Sequence, residues 1–520
     1  MRVNAVIKTS TSISIISQSS IALNVAAIDW YISWHTDEYK FISFCCTHWL
    51  RNAAIRASGY RITGENMNAQ DWFNDKKNIK KSEKKYAHFD VRTDIQKAQR
   101  YISDPEKVAK HGFYPMIHYK KDMSRYSGKT HKIKNKERDI CYSAHIDRCI
   151  FQYYSAILNE SYNSLIKKMG IGDVPVAYRT DLHKSNVQCA VEAINFIRKT
   201  ESGYVLIGDF THFFDNLKHD YLREQLLTLL GTDKLPADQE AVFHNITRYS
   251  LFERDDLLDI NDLPHTRAGI KKLNARKRVL STQEFKRYKY KIKRNDKDYG
   301  IPQGSPISAC YANIYMLTAD KKIADRVKES YGRYMRYSDD FIIVLPESSE
   351  AKDLIKYVVD CLFKDGSPEK IPGVTLEPEK TQIFHFDRNG LRNVGKNFLT
   401  DADTSHNAVN FLGFQYDGKE VTVRAKTISK YYYRMHRKAI GIAHQKIKNG
   451  YDCFKGADKL YAKYSERGKR GLRGNFFTYM DRAEREFPDD PISRDTSRHM
   501  IRIRKTLKKH SKTLDTDANG

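Results

Sequence analysis

The sequence predicts a mixed α+β fold, on three observations. Short apolar runs bounded by turn residues recur at 204–210 (YVLIGDF), 341–345 (FIIVL) and 411–414 (FLGF), lengths that suit strands rather than helices. Helical patterning fills most of 85–200, 221–251 and the chain from 417 onward. The 520 residues are 40% hydrophobic and 30% charged, the composition of a globular chain of roughly two to four structural units. Collagen, coiled-coil rods and wholly disordered architectures are excluded on that basis.

Along the chain, residues 1–66 stand apart. They are Ser/Ile-rich, contain the pair Cys45-Cys46 and show no sustained period of 2 or 3.6. Arg2, Lys8 and SISIISQSSIALNVAA imitate a signal peptide only faintly, because Ser and Gln interrupt the apolar part. Met67 then opens MNAQDWFNDKKNIKKSEKK, so the natural start is expected there, with 1–66 a non-native or disordered extension. Within the helical stretch that follows, KDMSRYSGKTHKIKNKERDICYSAHIDR is basic and turn-rich, and Gly128 marks a hairpin or loop. Residues from about 511 are expected to fray.

The charge is concentrated. Residues 267–298 carry 13 Lys+Arg against 3 acids, with Phe285, Tyr288 and Tyr290 interleaved. From 417 onward there are 26 Lys+Arg against 13 acids. These surpluses of 10 and 13 hold nearly all of the net +26, and a localised positive surface points to nucleic acid. The eight cysteines form no C-x-x-C pair, which argues against a zinc knuckle and fits reduced thiols in the cytoplasm. No apolar run approaches the roughly 20 residues that span a bilayer.

Chemistry gathers at a few acids. In RYMRYSDDFIIVLP, Asp339 and Asp340 sit where a strand, a tight turn and a second strand meet. Paired carboxylates at such a tip, backed by buried strands, form a rigid ligand pair for divalent cations. YVLIGDFTHFFDNLKH supplies another apolar strand ending in an acid, Asp209. Two strands that each deliver a carboxylate to one spot are what two-metal phosphoryl transfer needs. Between them lies GIPQGSPISACYANIYM, where Gly300 and Gly304 permit close backbone approach and SPISACYANIYM starts a helix.

In their order, these motifs resemble the palm of a reverse transcriptase. Asp209 with Phe214-Asp215 is similar to the first carboxylate motif, Pro302-Gln303-Gly304-Ser305 to the second and Tyr337-Ser338-Asp339-Asp340 to the third. LEPEKTQIF resembles the motif whose lysine is Lys380, FLGF the primer-grip hairpin, and KERDICYSAHIDR the fingers motif containing Arg138. The resemblance covers about residues 100–430. It implies a right-hand polymerase: fingers with N-terminal helices over 67–200, a palm with an antiparallel sheet over 201–415 and a basic insertion at 252–298, and a helical thumb with a basic carboxy-terminal extension over 416–510.

The resemblance also assigns roles. Asp209 and Asp339 ligate two Mg²⁺ ions, for which Mn²⁺ is a substitute, with the Phe210 carbonyl completing one shell and Asp340 as third carboxylate. Phe214 lies under the sugar, where its ring excludes a ribose 2′-hydroxyl. Gln303 and Gly304 line the nascent base pair. Arg138 and Lys380 meet the triphosphate, the lysine also as general acid. Tyr337, Phe411, Leu412 and Gly413 hold primer and template. VPVAYRTDLHKSN and NFFTYMDRAEREF are similar to bacterial abortive-infection and defence-associated reverse transcriptases. That implies a cytoplasmic antiphage enzyme working with a non-coding RNA, dNTPs and a DNA product, without a membrane, and allows a homo-oligomer. The alternatives are a retron or group II intron-like enzyme and an RNA-binding assembly with a vestigial site.

Overall fold

From the amino end, four short helices, Ala69–Asn74, Lys76–Ser82, Ile95–Ile102 and Pro105–Ala109, each begin after an Asn or Asp whose side chain accepts backbone N–H groups of the first turn. The structure is a computed structural model that describes residues 68–123, 125–127, 132–134, 137–399, 407–448, 457–468, 474–494 and 499–512. The expectations for residues 1–66, for a start at Met67 and for the tail past 512 lie outside the described residues.

Strands β1 (Met116–Asp122), β2 (Arg125–Ser127), β3 (Lys132–Lys134) and β4 (Glu137–Tyr142) follow. β1 and β4 pair antiparallel from Ile117↔Tyr142 to Asp122↔Glu137, and β2 pairs with β3. The helical reading of 85–200 is corrected here. Only the first half of β1 is buried, and Lys120, Lys121 and Asp122 run out into solvent, so no alternation reveals the strand. Two longer helices, His145–Lys168 and Asn186–Lys199, then lead to β5 (Gly203–Asp209).

Helices Phe213–Asn216, His219–Leu230 and Ala237–Thr247 connect β5 to β6 (Ser250–Glu253). β6 lies parallel to β1, and β7 (Lys293–Arg294) pairs with β6, so the basic segment is bracketed by strands of the β4-β1-β6-β7 sheet. Helices Arg254–Ile260, Arg267–Ala275 and Thr282–Arg287 pack there over a small core of Phe89, Phe252, Leu257, Leu273 and Val279.

Helices Ser308–Tyr315 and Leu317–Glu329 precede β8 (Arg333–Tyr337), β9 (Asp340–Pro346), β10 (Gln382–Asp387) and β11 (Gly390–Asn393). With β5 these form an antiparallel sheet of order β11-β10-β5-β9-β8. Alternate residues enter different cores. Leu206, Phe341, Ile343 and Ile383 face the core that includes Phe151, Leu158 and Tyr311, whereas Val205, Ile207, Ile342, Val344 and Phe384 join the one with Ala190, Phe414 and Tyr431. Burial on both faces is why β5 and β9 read as unbroken apolar runs.

β12 (Val409–Phe411), β13 (Phe414–Tyr416) and β14 (Val421–Val423) make a small meander. Helix Ala425–Lys448 follows and packs against helix His499–Lys512, burying Ile428, Met435, Ala439 and Ala443 with Ile503 and Leu507. The fold is that of a right-hand polymerase: β6 and β7, which complete the four-stranded sheet, lie in the chain between β5 and β8 of the five-stranded palm sheet, and helices follow the meander. Among the described residues, no helix is long and apolar enough to cross a membrane.

Strands β5 and β9 approach closely at Gly208, where a Cβ would fall 2.2 Å from the Phe341 ring. Gly208→Ala is therefore expected to cost about 1–3 kcal/mol by overpacking, read as a lower denaturant midpoint with unchanged m-value.

Candidate active site

The register of β5 against β9 sets Asp209 directly opposite Asp340. On the other side of β9, Tyr337 pairs with Asp340, leaving Ser338 and Asp339 as a two-residue turn. All three acids therefore meet at one end of the palm sheet. Asp340 is mostly buried; that burial, followed by the charges of Asp339 and Asp209, pushes its carboxyl up to about 7. Asp209 is held by Lys380, whose Nζ donates to Oδ1 at 2.8 Å. Lys380 ends the 3-10 turn Pro378–Lys380, and Glu377 N donates to Asp209 O at 2.8 Å, fixing the turn against the end of β5.

Below the acids, Phe210 is 2% exposed and packs against Phe341, Phe213 and Phe363 at 4.9–5.4 Å between ring centroids. Phe214 follows the left-handed His212 (φ 46°) and is half-buried, its carbonyl accepting from Ile301 N at 2.9 Å. This contact joins the first acid motif to the Pro-Gln-Gly loop. Gln303 Nε2 donates to Asp215 Oδ1 at 3.5 Å, and Gln303 O accepts from Cys141 N at 2.9 Å. Gly304 has φ 119°, and a Cβ there would lie 2.3 Å from Cys141 O, so the loop closes onto β4 only with glycine.

Arg138 is exposed on β4, across from Lys121 of β1. Tyr337 is half-buried at the end of β8. Phe411 is buried, and Leu412 (φ 47°) and Gly413 (φ 97°) form the turn between β12 and β13. Asn186 Nδ2 donates to Leu412 O at 3.1 Å. The structure thus gathers Asp209, Asp339, Asp340, Lys380 and Phe210, puts Phe214, Gln303 and Gly304 on one connected loop system, and leaves Arg138 and the 411–413 turn on separate elements.

The sequence reading missed the group that holds the acid turn. Arg336 is fully buried and donates from Nε and Nη2 to Asp320, at 2.6–3.1 Å, from Nη1 to Asn313 Oδ1 at 3.2 Å, and from Nη1 to the Ser338 carbonyl at 3.0 Å. Tyr334 OH also donates to Asp320 at 2.8 Å. A signal was present: Asp320 lies on the apolar stripe Leu317, Ile323 and Val327, and an acid on a buried stripe needs a cation. The VPVAY segment braces the same turn. Arg336 N donates to Val174 O, Val176 N to Arg336 O, and Tyr178 OH to Ser338 Oγ at 3.3 Å.

Three converging hard oxygen donors suit a divalent cation chemically. Among the described residues, however, no three His, Cys, Asp or Glu side chains are gathered closely enough to hold one as they stand. Lys380 pairs with Asp209 where the acids stand, and burial with the neighbouring carboxylates raises Asp340.

Residues 134–416, more than half of the chain, match the family described as reverse transcriptase (RNA-dependent DNA polymerase). Similar solved structures include a Candida tropicalis apo telomerase truncated from its C-terminal domain, 14% identical over 63% of this chain and 59% of that one, with a TM-score of 0.37. Telomerases in complex with a TWJ fragment of telomeric RNA are 13% identical: that of Candida tropicalis over 76% and 56% of the two chains (TM-score 0.36), and that of Candida albicans over 75% and 57% (0.33). The match thus spans less than two thirds of each telomerase chain. No curated protein sequence matches.

Two outcomes are expected. Arg336→Met alone should cost about 3–5 kcal/mol by orphaning a buried carboxylate. Arg336→Met with Asp320→Leu should recover much of that stability in a denaturant titration, yet leave nucleotide incorporation low because the Ser338 carbonyl has lost its anchor. In chelator-treated protein, Asp340→Asn should raise Tm most at pH 8, somewhat less at pH 6, and little below about pH 4. The sign follows from a raised carboxyl: the unfolded chain ionises Asp340 above its ordinary range while the folded chain resists until about 7, so the parent loses stability across that window and the asparagine does not.

Proposed function

We propose that this chain, which belongs to the reverse transcriptase (RNA-dependent DNA polymerase) family, copies RNA into DNA by adding dNTPs to a 3′ end or to a protein hydroxyl. The observation that carries the reading is the pairing of Asp209 with Asp340 in register, with Asp339 on the adjoining turn. Two Mg²⁺ ions, or Mn²⁺ in their place, are the cofactors assigned; Asp209, Asp339, Asp340 and the Phe210 carbonyl would hold them. When bound, they supply charge stabilisation for the attacking oxygen and the leaving pyrophosphate.

The chain's own residues do the rest. Lys380, released from Asp209, is free to meet the triphosphate and to give a proton to the leaving pyrophosphate. Arg138 supplies a guanidinium fork for phosphate oxygens from the exposed face of β4. Phe214 sits under the sugar and makes the site intolerant of a 2′-hydroxyl. Gln303 and Gly304 bear on the nascent pair, while Tyr337 and the Phe411-Leu412-Gly413 turn hold the primer end.

The biological reading is bacterial antiphage defence with a non-coding RNA as template or scaffold, in the cytoplasm. It rests on the similarity of VPVAYRTDLHKSN and NFFTYMDRAEREF to defence-associated members of the family. The buried free thiols Cys141, Cys149, Cys189 and Cys310 support a reducing compartment.

The test uses the purified protein with its co-purifying RNA and Mg²⁺, each labelled dNTP alone and all four together, followed by product sequencing and protease treatment. Asp339→Ala is expected to reduce incorporation to background, and Phe214→Ala to let rNTPs compete. A single-nucleotide polymer, or a product released only by protease, supports the defence reading. A defined cDNA that needs all four dNTPs points to a retron-like or RNA-copying enzyme. No incorporation with any primer, template or metal would leave an RNA-binding assembly with a vestigial site.

A further inference from the structure

Tyr178, in the loop before helix Asn186–Lys199, has a left-handed backbone (φ 61°), a conformation in which bulky residues are outliers. Tyr331 shares it (φ 53°) for a local reason: it lies just past the end of helix Leu317–Glu329, where left-handed caps are common. No helix ends at Tyr178. The residue is also 50% exposed, so burial does not account for the strain. Such strain persists where neighbouring bonds impose it, and it gathers at working sites.

The bonds on either side of Tyr178 are in place. Ala177 O accepts from Asn313 Nδ2 at 3.0 Å, and Oδ1 of the same Asn313 accepts from Arg336 Nη1 at 3.2 Å. Arg179 is buried; it donates to the carbonyls of Gly172 and Pro175 and, from Nε and Nη2, to Asp181 at 2.7–3.1 Å. Tyr178 is therefore fixed relative to the strand that leads into the acid turn, and its hydroxyl donates to Ser338 Oγ at 3.3 Å. Ser338 is 4% exposed, and of the two turn residues it is the one at positive φ (64°), the place where such a hairpin turn takes glycine. Two strained residues thus meet through one hydroxyl bond, with Asp339 next in the chain. Arg336 holds the Ser338 carbonyl; Tyr178 holds its side chain.

We propose that Tyr178 is a positioning residue for Asp339: its hydroxyl keeps Ser338 in the left-handed form that sets Asp339 at the end of the palm sheet with Asp209 and Asp340. A serine needs that bond because its Cβ disfavours positive φ, whereas a glycine in its place would not. The inference rests on the polymerase reading of the three acids, and the test separates the two.

That test is a double-mutant cycle on the full-length protein with two readouts. Hydrogen exchange in chelator, with no nucleotide present, reads the turn itself. Tyr178→Phe should speed exchange across 337–340 about three- to tenfold, the range one neutral hydrogen bond carries, and leave β5 unchanged. Under incorporation conditions it should lower kcat about three- to tenfold, with KM for dNTP and for primer unchanged. Ser338→Ala should match it, and the two together should do no worse than either. Against Ser338→Gly alone, adding Tyr178→Phe should change neither readout, since glycine keeps the turn without the hydroxyl. If the chain makes no DNA, the polymerase reading fails and the exchange rates still decide this one. Exchange across the turn in Tyr178→Phe equal to that of the parent overturns the proposal. So does a raised KM, or a loss that persists on the Ser338→Gly background, because either puts Tyr178 on primer or nucleotide rather than on Ser338.

Discussion

The candidate site depends on one buried ion pair, Arg336 with Asp320. Both side chains are fully excluded from water, and such a pair seldom adds net stability over an apolar one, because desolvation offsets the Coulomb gain. What it adds here is position. Arg336 sits two residues before the turn, donates to the Ser338 carbonyl, and is itself held by a helix on one side and by the Val174–Val176 backbone on the other. Ser338 is thereby kept at φ 64°, a conformation that favours glycine and costs a serine about 1–3 kcal/mol. The turn carrying Asp339 keeps its shape because the surrounding bonds over-determine it.

A second constraint runs against the first. The pairing that makes the palm sheet also forces Asp209 and Asp340 face to face, and like charges across a ladder repel. The molecule relieves part of this with an ammonium group from Lys380, and the remaining crowding raises the Asp340 carboxyl. Nothing around the acids lets them move apart. The Phe210 cluster lies beneath them, and Gly208 lets the Phe341 ring close over the strand. The repulsion is thus built into the frame of the sheet itself.

Much of this was legible in the sequence. β5 and β9 announced themselves as apolar runs ending or beginning in acids, because a sheet buried on both faces leaves few polar residues to obscure it. Phe214 and Gln303 were legible through motif order, and the structure links them by the Ile301–Phe214 and Gln303–Asp215 bonds. Two things were hidden. β1 was masked by its solvated second half, whose Lys and Asp residues carry no period-2 signal. The Arg336–Asp320 pair was masked because each residue alone reads as surface charge; only the position of Asp320 on an apolar helix stripe betrays it. Lys380 was read from its motif, but no spacing rule reveals that it rests on Asp209, 171 positions away.

The same frame reaches the fingers. The Pro-Gln-Gly loop is tied at one end by Gly300 N to Leu217 O and by His219 Nε2 donating to Gly300 O, both at 2.9 Å, and Ser308 Oγ donates to Pro302 O at 2.7 Å. At its tip, Cys141 N reaches Gln303 O across from β4. The loop therefore cannot shift against the first acid motif without breaking buried bonds, nor against β4 without opening the gap that Gly304 alone can close.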